Sequence, residues 1–286
     1  MCIGAPAFAG KTSVVTTYPW IASITEYIGK DRVSVFPLAR ADYDPHTIIP
    51  KPSYIAKLRG ADLLIMNGAQ LEIGWLPPLI RQANNPVVFP GERGFLDLSA
   101  TVTLLDPRDS VSRAEGDIHP EGNPHFALDP YNIPVIAKAI AARLAELDGD
   151  NAAYYEANLA EFAAAWSARL AGWDARLSKL KGVKVIEYHR LFDYLLNRYG
   201  VVVVATIEPL PGIPPASRHI AMLEARLAAD GVWGILQDVY HPDDASALLS
   251  AKFGLRLIVL PHDAGAVDGT GDIFALFEEI TRRLAQ

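Results

Sequence analysis

From Asn151 to Leu180 the chain contains no proline and a single glycine, Gly172. Within that stretch Tyr155, Leu159, Phe162, Trp166, Leu170, Trp173, Leu177 and Leu180 recur at steps of three or four. Apolar residues at that spacing fall on one stripe of an α-helix. The spacing therefore predicts one continuous amphipathic helix, about 45 Å long at roughly 1.5 Å per residue. A helix bridging two halves of a protein is a simpler placement for it than a free coiled-coil arm. This constrains the architecture, because whatever lies on either side must pack against a single stiff rod.

On both sides short β-rich runs alternate with helical patterns. Before the rod, strands are expected at Ser13–Thr17, Val33–Phe36, Asp62–Met66 and Val87–Phe89, with helices at Ile21–Ile28 and Tyr131–Leu147. After it, strands are expected at Val183–Glu187, Val201–Ala205, Val232–Gln237 and Arg256–Leu260. Helices are expected between and after them, at Arg190–Tyr199, Ala216–Asp230, Asp243–Phe253 and Asp272–Leu284. Such alternation implies mostly parallel sheets covered by helices. The predicted fold class is α/β: two βα domains, residues 11–150 and 182–286, joined by a backbone helix over 151–181. A chain of 286 residues, half of them apolar, suits two domains of ordinary size.

Charge and cysteine content narrow the function. Lys and Arg number 26 against 33 Asp and Glu, a net charge of −7. That balance disfavours nucleic acid and anionic membranes and does not repel cations. No apolar run is long enough to span a bilayer. The only cysteine is Cys2, which excludes an internal disulfide and a zinc site built from several thiolates. Residues 1–10 read MCIGAPAFAG, where Ala7-Phe8-Ala9 fits the small-x-small pattern of a secretory cleavage site. The stretch before it is short and lacks a basic region, so it is read as a truncated signal, with the periplasm as the expected location.

Chemistry is carried by histidines, of which there are seven. His46 lies in Asp44-Pro45-His46, after the expected strand at 33–36. His125 lies in Asn123-Pro124-His125, before Leu128-Asp129-Pro130 and a helix. His189 follows the strand at 183–187, and Asp263 follows the strand at 256–260. In open α/β sheets ligands bind beyond the carboxyl ends of strands, and all four residues fit loops of that kind. A cleft between the halves would collect two from each. Three imidazoles and one carboxylate make a closed four-coordinate set suited to Zn²⁺, with no position kept for an activated water. Among the other histidines, His262 neighbours Asp263 but points away in an extended backbone, His241 is read as a cap or solvent-facing group, and His219 as a surface residue. Glu208 precedes a rigid Pro-Leu-Pro-Gly loop near the cleft, where it would orient a ligand histidine. Asp272 is expected to cap the last helix.

The ordered motifs are specific together. Asp44-Pro45-His46 precedes Pro50-Lys51-Pro52-Ser53, then Ala61-Asp62-Leu63-Leu64-Ile65-Met66-Asn67-Gly68 and Leu71-Glu72. Asn123-Pro124-His125 precedes Leu128-Asp129-Pro130, then come Glu187-Tyr188-His189, Phe192-Asp193-Tyr194, Tyr199-Gly200 and His262-Asp263-Ala264. Over roughly residues 13–284 the chain resembles the zinc/manganese class of ABC-transporter solute-binding proteins. The resemblance implies two α/β domains on one long helix, no catalysis, and delivery of metal to an ABC permease of the inner membrane by a monomer. By position it carries the metal ligands onto His46, His125, His189 and Asp263. Manganese-carrying members often have a carboxylate at the third position; His189 there shifts the expected metal toward zinc, with manganese as the alternative. Many zinc-uptake members carry a long His- and acid-rich loop before the second ligand. Here Asp109–Asn123 has only His119 besides a few acids. Metal would then arrive directly or from a periplasmic metallochaperone. Rival classes are an adhesin, for which no exposed repeat is present, and a metallohydrolase, for which no HExxH or GxSxG is present.

Overall fold

The computed structural model describes residues 10–107 and 119–286. The signal-like start and most of the 109–123 stretch lie outside the described residues. Among those described, the strands form two four-stranded parallel sheets, ordered β2-β1-β3-β4 and β6-β5-β7-β8. The first is built from β1 (Thr12–Thr16), β2 (Val33–Pro37), β3 (Leu63–Met66) and β4 (Phe95–Asp97). The second is built from β5 (Lys184–Glu187), β6 (Val202–Thr206), β7 (Gly234–Gln237) and β8 (Arg256–Val259). Val14, Val15, Leu63, Leu64 and Ile65 are all buried, as expected of strands covered on both faces. In each sheet the chain leaves the first strand in one direction and returns on its other side, so loops diverge at the carboxyl edge and leave a crevice there.

The first sheet is flanked by α1 (Pro19–Gly29), α2 (Pro52–Arg59), α3 (Leu76–Ala83) and α4 (Asn132–Leu147). The rod is α5 (Ala152–Leu177), with single 3₁₀ turns at Gly149–Asn151 and Ser178–Leu180. The second sheet carries α6 (Asp193–Arg198), α7 (Ser217–Asp230), α8 (Asp244–Phe253) and α9 (Ile273–Leu284). The rod buries Tyr155, Phe162, Trp166, Trp173 and Leu177. Its partners include α9, because Trp166 meets Phe274 and Phe277 at ring distances of 5.3 and 5.2 Å. Both indole nitrogens are satisfied: Trp166 donates to the Pro130 carbonyl at 2.8 Å and Trp173 to Glu278 at 2.8 Å. One apolar core thus runs from the first sheet through α4, α5 and α9 to the inner face of the second. Ile186, Tyr188, Ile207, Leu223, Leu227, Val232, Ile235 and Leu249 form a separate cluster beneath α7 and α8.

Two expectations are corrected. Val87–Phe89 is not a strand. Asn85 accepts a hydrogen bond from the Val87 amide at 3.2 Å and sets a 3₁₀ turn over Pro86–Val88. The strand that pairs with β3 is Phe95–Asp97, too short to stand out by alternation. The helix expected from Arg190 begins only at Asp193, because the Glu187 carboxylate accepts the Phe192 amide at 2.9 Å and holds the intervening turn.

The halves are also joined by polar bonds. Arg198 clasps Asp129 at 2.6 Å. Tyr194 donates its hydroxyl to the Asn123 carbonyl at 2.7 Å. Asp174 on the rod accepts from Tyr131 at 2.8 Å and Tyr199 at 2.6 Å.

Candidate metal centre

His46 is set by its own tripeptide. Asp44 Oδ1 accepts the His46 backbone amide at 2.9 Å and the His46 Nδ1 proton at 2.8 Å. Tyr18 anchors the intervening Pro45 carbonyl at 2.8 Å. The same Asx-turn logic places His125: Asn123 Oδ1 accepts the His125 amide at 2.9 Å, and Asn67 Nδ2 holds the Pro124 carbonyl at 3.0 Å. His189 leaves the end of β5, and its Nδ1 meets Glu208 Oε2 at 2.6 Å.

The three rings converge. Their centroids are 5.2 Å (His46–His125), 5.3 Å (His46–His189) and 5.4 Å (His125–His189) apart, all edge-on. One ring nitrogen from each lies within 4.8 Å of the others. His125 Nε2 and His189 Nε2 stand 3.3 Å apart, and His46 Nε2 is buried with no hydrogen-bond partner. Ligand nitrogens about 2.05 Å from a tetrahedral Zn²⁺ stand roughly 3.3 Å from one another. Asp44 and Glu208 accept the Nδ1 protons of two of the rings, which fixes the tautomer that leaves Nε2 bare and raises its basicity. Burial, with His46 and His189 close by, holds the His125 pKa well below the usual imidazole value. Asp44 is pushed upward by burial, but its bonds to His46 outweigh that and hold it well below the usual carboxylate range.

Asp263 is the fourth residue expected, and it is not part of this three-ring set. It is 3% exposed and shares a small cavity of about 30 Å³ with His125 and Asn67. Its Oδ1 accepts the Trp20 amide at 2.7 Å and the Ala264 amide at 2.7 Å. Trp20 sits in the first turn of α1, so Asp263 caps a helix of the other half. Burial raises its pKa well above the usual value, opposed by those two amides.

Glu208 stands behind His189 as anticipated, with Oε1 accepting the Gly212 amide at 2.7 Å. His241 is not the solvent-facing cap expected. Its Nδ1 bonds Asp238 at 2.8 Å, its ring stacks on Tyr188 at 4.5 Å, and its Nε2 is 3.9 Å from Glu208. His219 is held too, with Nε2 3.0 Å from the Thr206 carbonyl. His262 turns its Nε2 to the Tyr43 carbonyl at 3.2 Å, and burial lowers its pKa to about 4. Asp272 caps α9 through the Ala275 amide at 2.8 Å. Sequence reasoning missed Asp44, whose two-residue spacing to His46 was the available signal, and the place of His119, whose ring stacks on His46 at 5.4 Å.

The family described as zinc-uptake complex component A, periplasmic (ZnuA), matches residues 14–286. The chain belongs to the ZnuA family. It is a substrate-binding protein of metal ABC transport and not an enzyme. The high-affinity zinc uptake system protein ZnuA of Bacillus subtilis is 28% identical over 260 residues, 87% of this chain and 78% of that relative. The manganese ABC transporter substrate-binding lipoprotein PsaA of Streptococcus pneumoniae is 27% identical over 196 residues, 67% of this chain and 60% of that relative. A crystal structure of ZnuA superimposes with a TM-score of 0.78 at 24% identity, covering 96% of this chain and 98% of that one. FpvC from Pseudomonas aeruginosa, in complex with Mn²⁺, gives a TM-score of 0.76 at 25% identity, covering 95% of each chain.

Proposed function

We propose that this ZnuA-family protein captures Zn²⁺ in the periplasm, holding it with His46, His125 and His189, and passes it to an ABC permease for import. The observation that carries the reading is the convergence of three imidazoles, two buried and one partly buried, with His125 Nε2 and His189 Nε2 3.3 Å apart. Two of the rings are backed by carboxylates, Asp44 and Glu208, at 2.8 and 2.6 Å. Those carboxylates bring two negative charges to the outer sphere of a divalent cation, which lowers the penalty of burying it.

Zinc is favoured over manganese by donor type. The cluster offers borderline nitrogen donors and no carboxylate oxygen, whereas Mn²⁺ prefers hard oxygen ligands. Asp263 is the oxygen donor that the family resemblance supplies. Its Oδ1 is held by the Trp20 and Ala264 amides, which leaves Oδ2 as the oxygen it could offer. Zinc titration of the wild type and of His189→Ala tests the reading. The wild type should bind one Zn²⁺ tightly and the variant should lose that binding while keeping its helical circular dichroism. Equal binding by the two proteins would remove His189, and with it this site, from the account.

A further inference from the structure

The two X-Pro-His tripeptides that carry His46 and His125 differ in their first residue, Asp44 against Asn123. As Asx turns they are equivalent, since Asp44 Oδ1 accepts the His46 amide and Asn123 Oδ1 accepts the His125 amide, both at 2.9 Å. They part at the second side-chain atom. Asp44 has another acceptor there, which stays within its own turn, 3.2 Å from the Thr47 hydroxyl. Asn123 has an NH₂ group, and that group crosses the cleft. Its Nδ2 donates to the Arg190 carbonyl at 2.9 Å and lies 3.3 Å from Asp193 Oδ2. Arg190 directly follows His189 in the chain. One carboxamide therefore holds the backbone of one ligand histidine by its oxygen and the backbone beside another by its nitrogen.

These partners fix which way the amide points. Its oxygen must face a backbone N–H, and its nitrogen must face a carbonyl and a carboxylate. Aspartate has the same shape but would turn a second acceptor toward two acceptors. The backbone of Asn123 is held as well: its amide donates to the Leu105 carbonyl at 2.8 Å, and its carbonyl accepts the Tyr194 hydroxyl at 2.7 Å. The Tyr194 oxygen in turn accepts the Leu105 amide at 2.8 Å. Gly122 permits this approach, with φ of 129° and a position where a Cβ would stand 2.6 Å from the Leu105 carbonyl oxygen. Beside the carboxamide, the Arg190 guanidinium bridges Asp106 of the first half at 2.6 Å and Asp193 at 2.7 Å. Of the five hydrogen bonds of Asn123, the three to Arg190, Asp193 and Tyr194 reach the second half.

We propose that Asn123 is a positioning residue that sets the spacing of His125 and His189 across the cleft, so that the two rings stand ready before metal arrives. The inference rests on the zinc reading above and adds a residue that touches no metal. His125 and His189 belong to different halves, and a distance between halves is fixed only by bonds that cross them. The Asn123 carboxamide crosses within one residue of His189 while gripping His125 itself. Parting the halves at this point breaks the bond to Arg190 and widens the 3.3 Å gap between the two Nε2 atoms in the same movement. Ligands held at their bound spacing lose little freedom on binding, which slows release of the ion.

Asn123→Asp keeps the shape and the acceptor for the His125 amide and removes the donor. Asn123→Ser keeps a shorter turn-forming acceptor and removes the reach across the cleft. Tyr199→Phe is the comparison, because it removes a different bond to the rod, 2.6 Å to Asp174, without touching Asn123. Zinc affinity and dissociation rate are measured on each protein by chelator competition and stopped flow, with the melting of the metal-free forms followed by circular dichroism. Both Asn123 variants should still bind Zn²⁺, about 10–100-fold more weakly than wild type, the scale on which supporting residues act, and should release it correspondingly faster. Tyr199→Phe should lower the melting temperature alone. Nuclear magnetic resonance of the metal-free wild type supplies a readout that needs no variant: the Asn123 carboxamide protons should exchange slowly with solvent. A zinc affinity within about twofold of wild type in Asn123→Asp, or fast exchange of those protons, would overturn the inference and leave the zinc reading intact. An equal loss of zinc affinity in Tyr199→Phe would overturn it too, because any loosening between the halves would then weaken the site. A wild type that binds no zinc would overturn both.

Discussion

Replacing Glu208 with glutamine keeps the shape of a buried side chain and removes its charge from behind His189. In the structure Glu208 uses both oxygens: Oε2 meets His189 Nδ1 at 2.6 Å and Oε1 accepts the Gly212 amide at 2.7 Å. Glutamine offers one acceptor oxygen and an NH₂ group that can only donate. One of the two N–H groups must then face another donor, and leaving a buried donor unpaired costs about 1–3 kcal/mol. If the amide oxygen stays with Gly212, the His189 ring loses its orienting partner and its fixed tautomer. If it stays with His189, the Pro209–Gly212 loop is strained instead, and the imidazole is still less basic. Loss of such a partner typically lowers metal affinity 10–100-fold, which is about 1.4–2.7 kcal/mol. The assay is a competition titration against a zinc chelator, with the melting of the metal-free protein measured by circular dichroism. A zinc affinity within about twofold of wild type would refute the reasoning, because it would mean that Glu208 neither orients nor polarises His189.

Three further outcomes follow from the same geometry. Asp263→Ala removes the acceptor for the Trp20 amide in the first turn of α1, and loss of such a cap costs about 0.5–2 kcal/mol. The metal-free melting temperature should drop by a few degrees in calorimetry, and an unchanged value would show that this clasp between the halves contributes nothing. Glu72 is buried and its pKa is raised to about 7 from 4.5, chiefly by desolvation. Between those two values the folded state holds a proton that the unfolded chain has released, so this group's contribution to stability rises as pH falls from 7 to 4.5. The full change is about 3 kcal/mol, and urea denaturation of wild type and Glu72→Gln across that window should show it as a difference in pH slope; parallel slopes would contradict it. Trp166→Ala should destabilise the metal-free protein by about 3–5 kcal/mol in urea denaturation, since its ring joins the rod to Phe274 and Phe277 of α9; a loss under about 1 kcal/mol would mean that the rod is not part of the core.

The rod and most of both sheets were legible because their signals are local. The stripe from Tyr155 to Leu177 needs only the helical period, and buried runs such as Leu63–Met66 need only burial on both faces. Elements governed by side-chain caps were less legible. Asn85 turns an apolar run into a 3₁₀ turn, and Phe95–Asp97 is a strand only because β3 lies beside it. The helices at Pro52–Arg59 and Leu76–Ala83 were not anticipated, although each carries proline in its first turn. At the site, three of the four expected residues converge. Asp263 stands outside the three-ring set with Oδ1 held by two amides, and no spacing in the sequence carries that. One of those amides belongs to Trp20 in the first turn of α1, far from Asp263 in the chain.

The central claim is a single zinc site in the cleft made by His46, His125 and His189. Isothermal titration of the metal-free protein with Zn²⁺ and, separately, Mn²⁺ tests it most directly. The account predicts one Zn²⁺ per chain, bound far more tightly than Mn²⁺, with binding abolished in His189→Ala. No saturable zinc binding, or tighter binding of Mn²⁺ than of Zn²⁺, would contradict it.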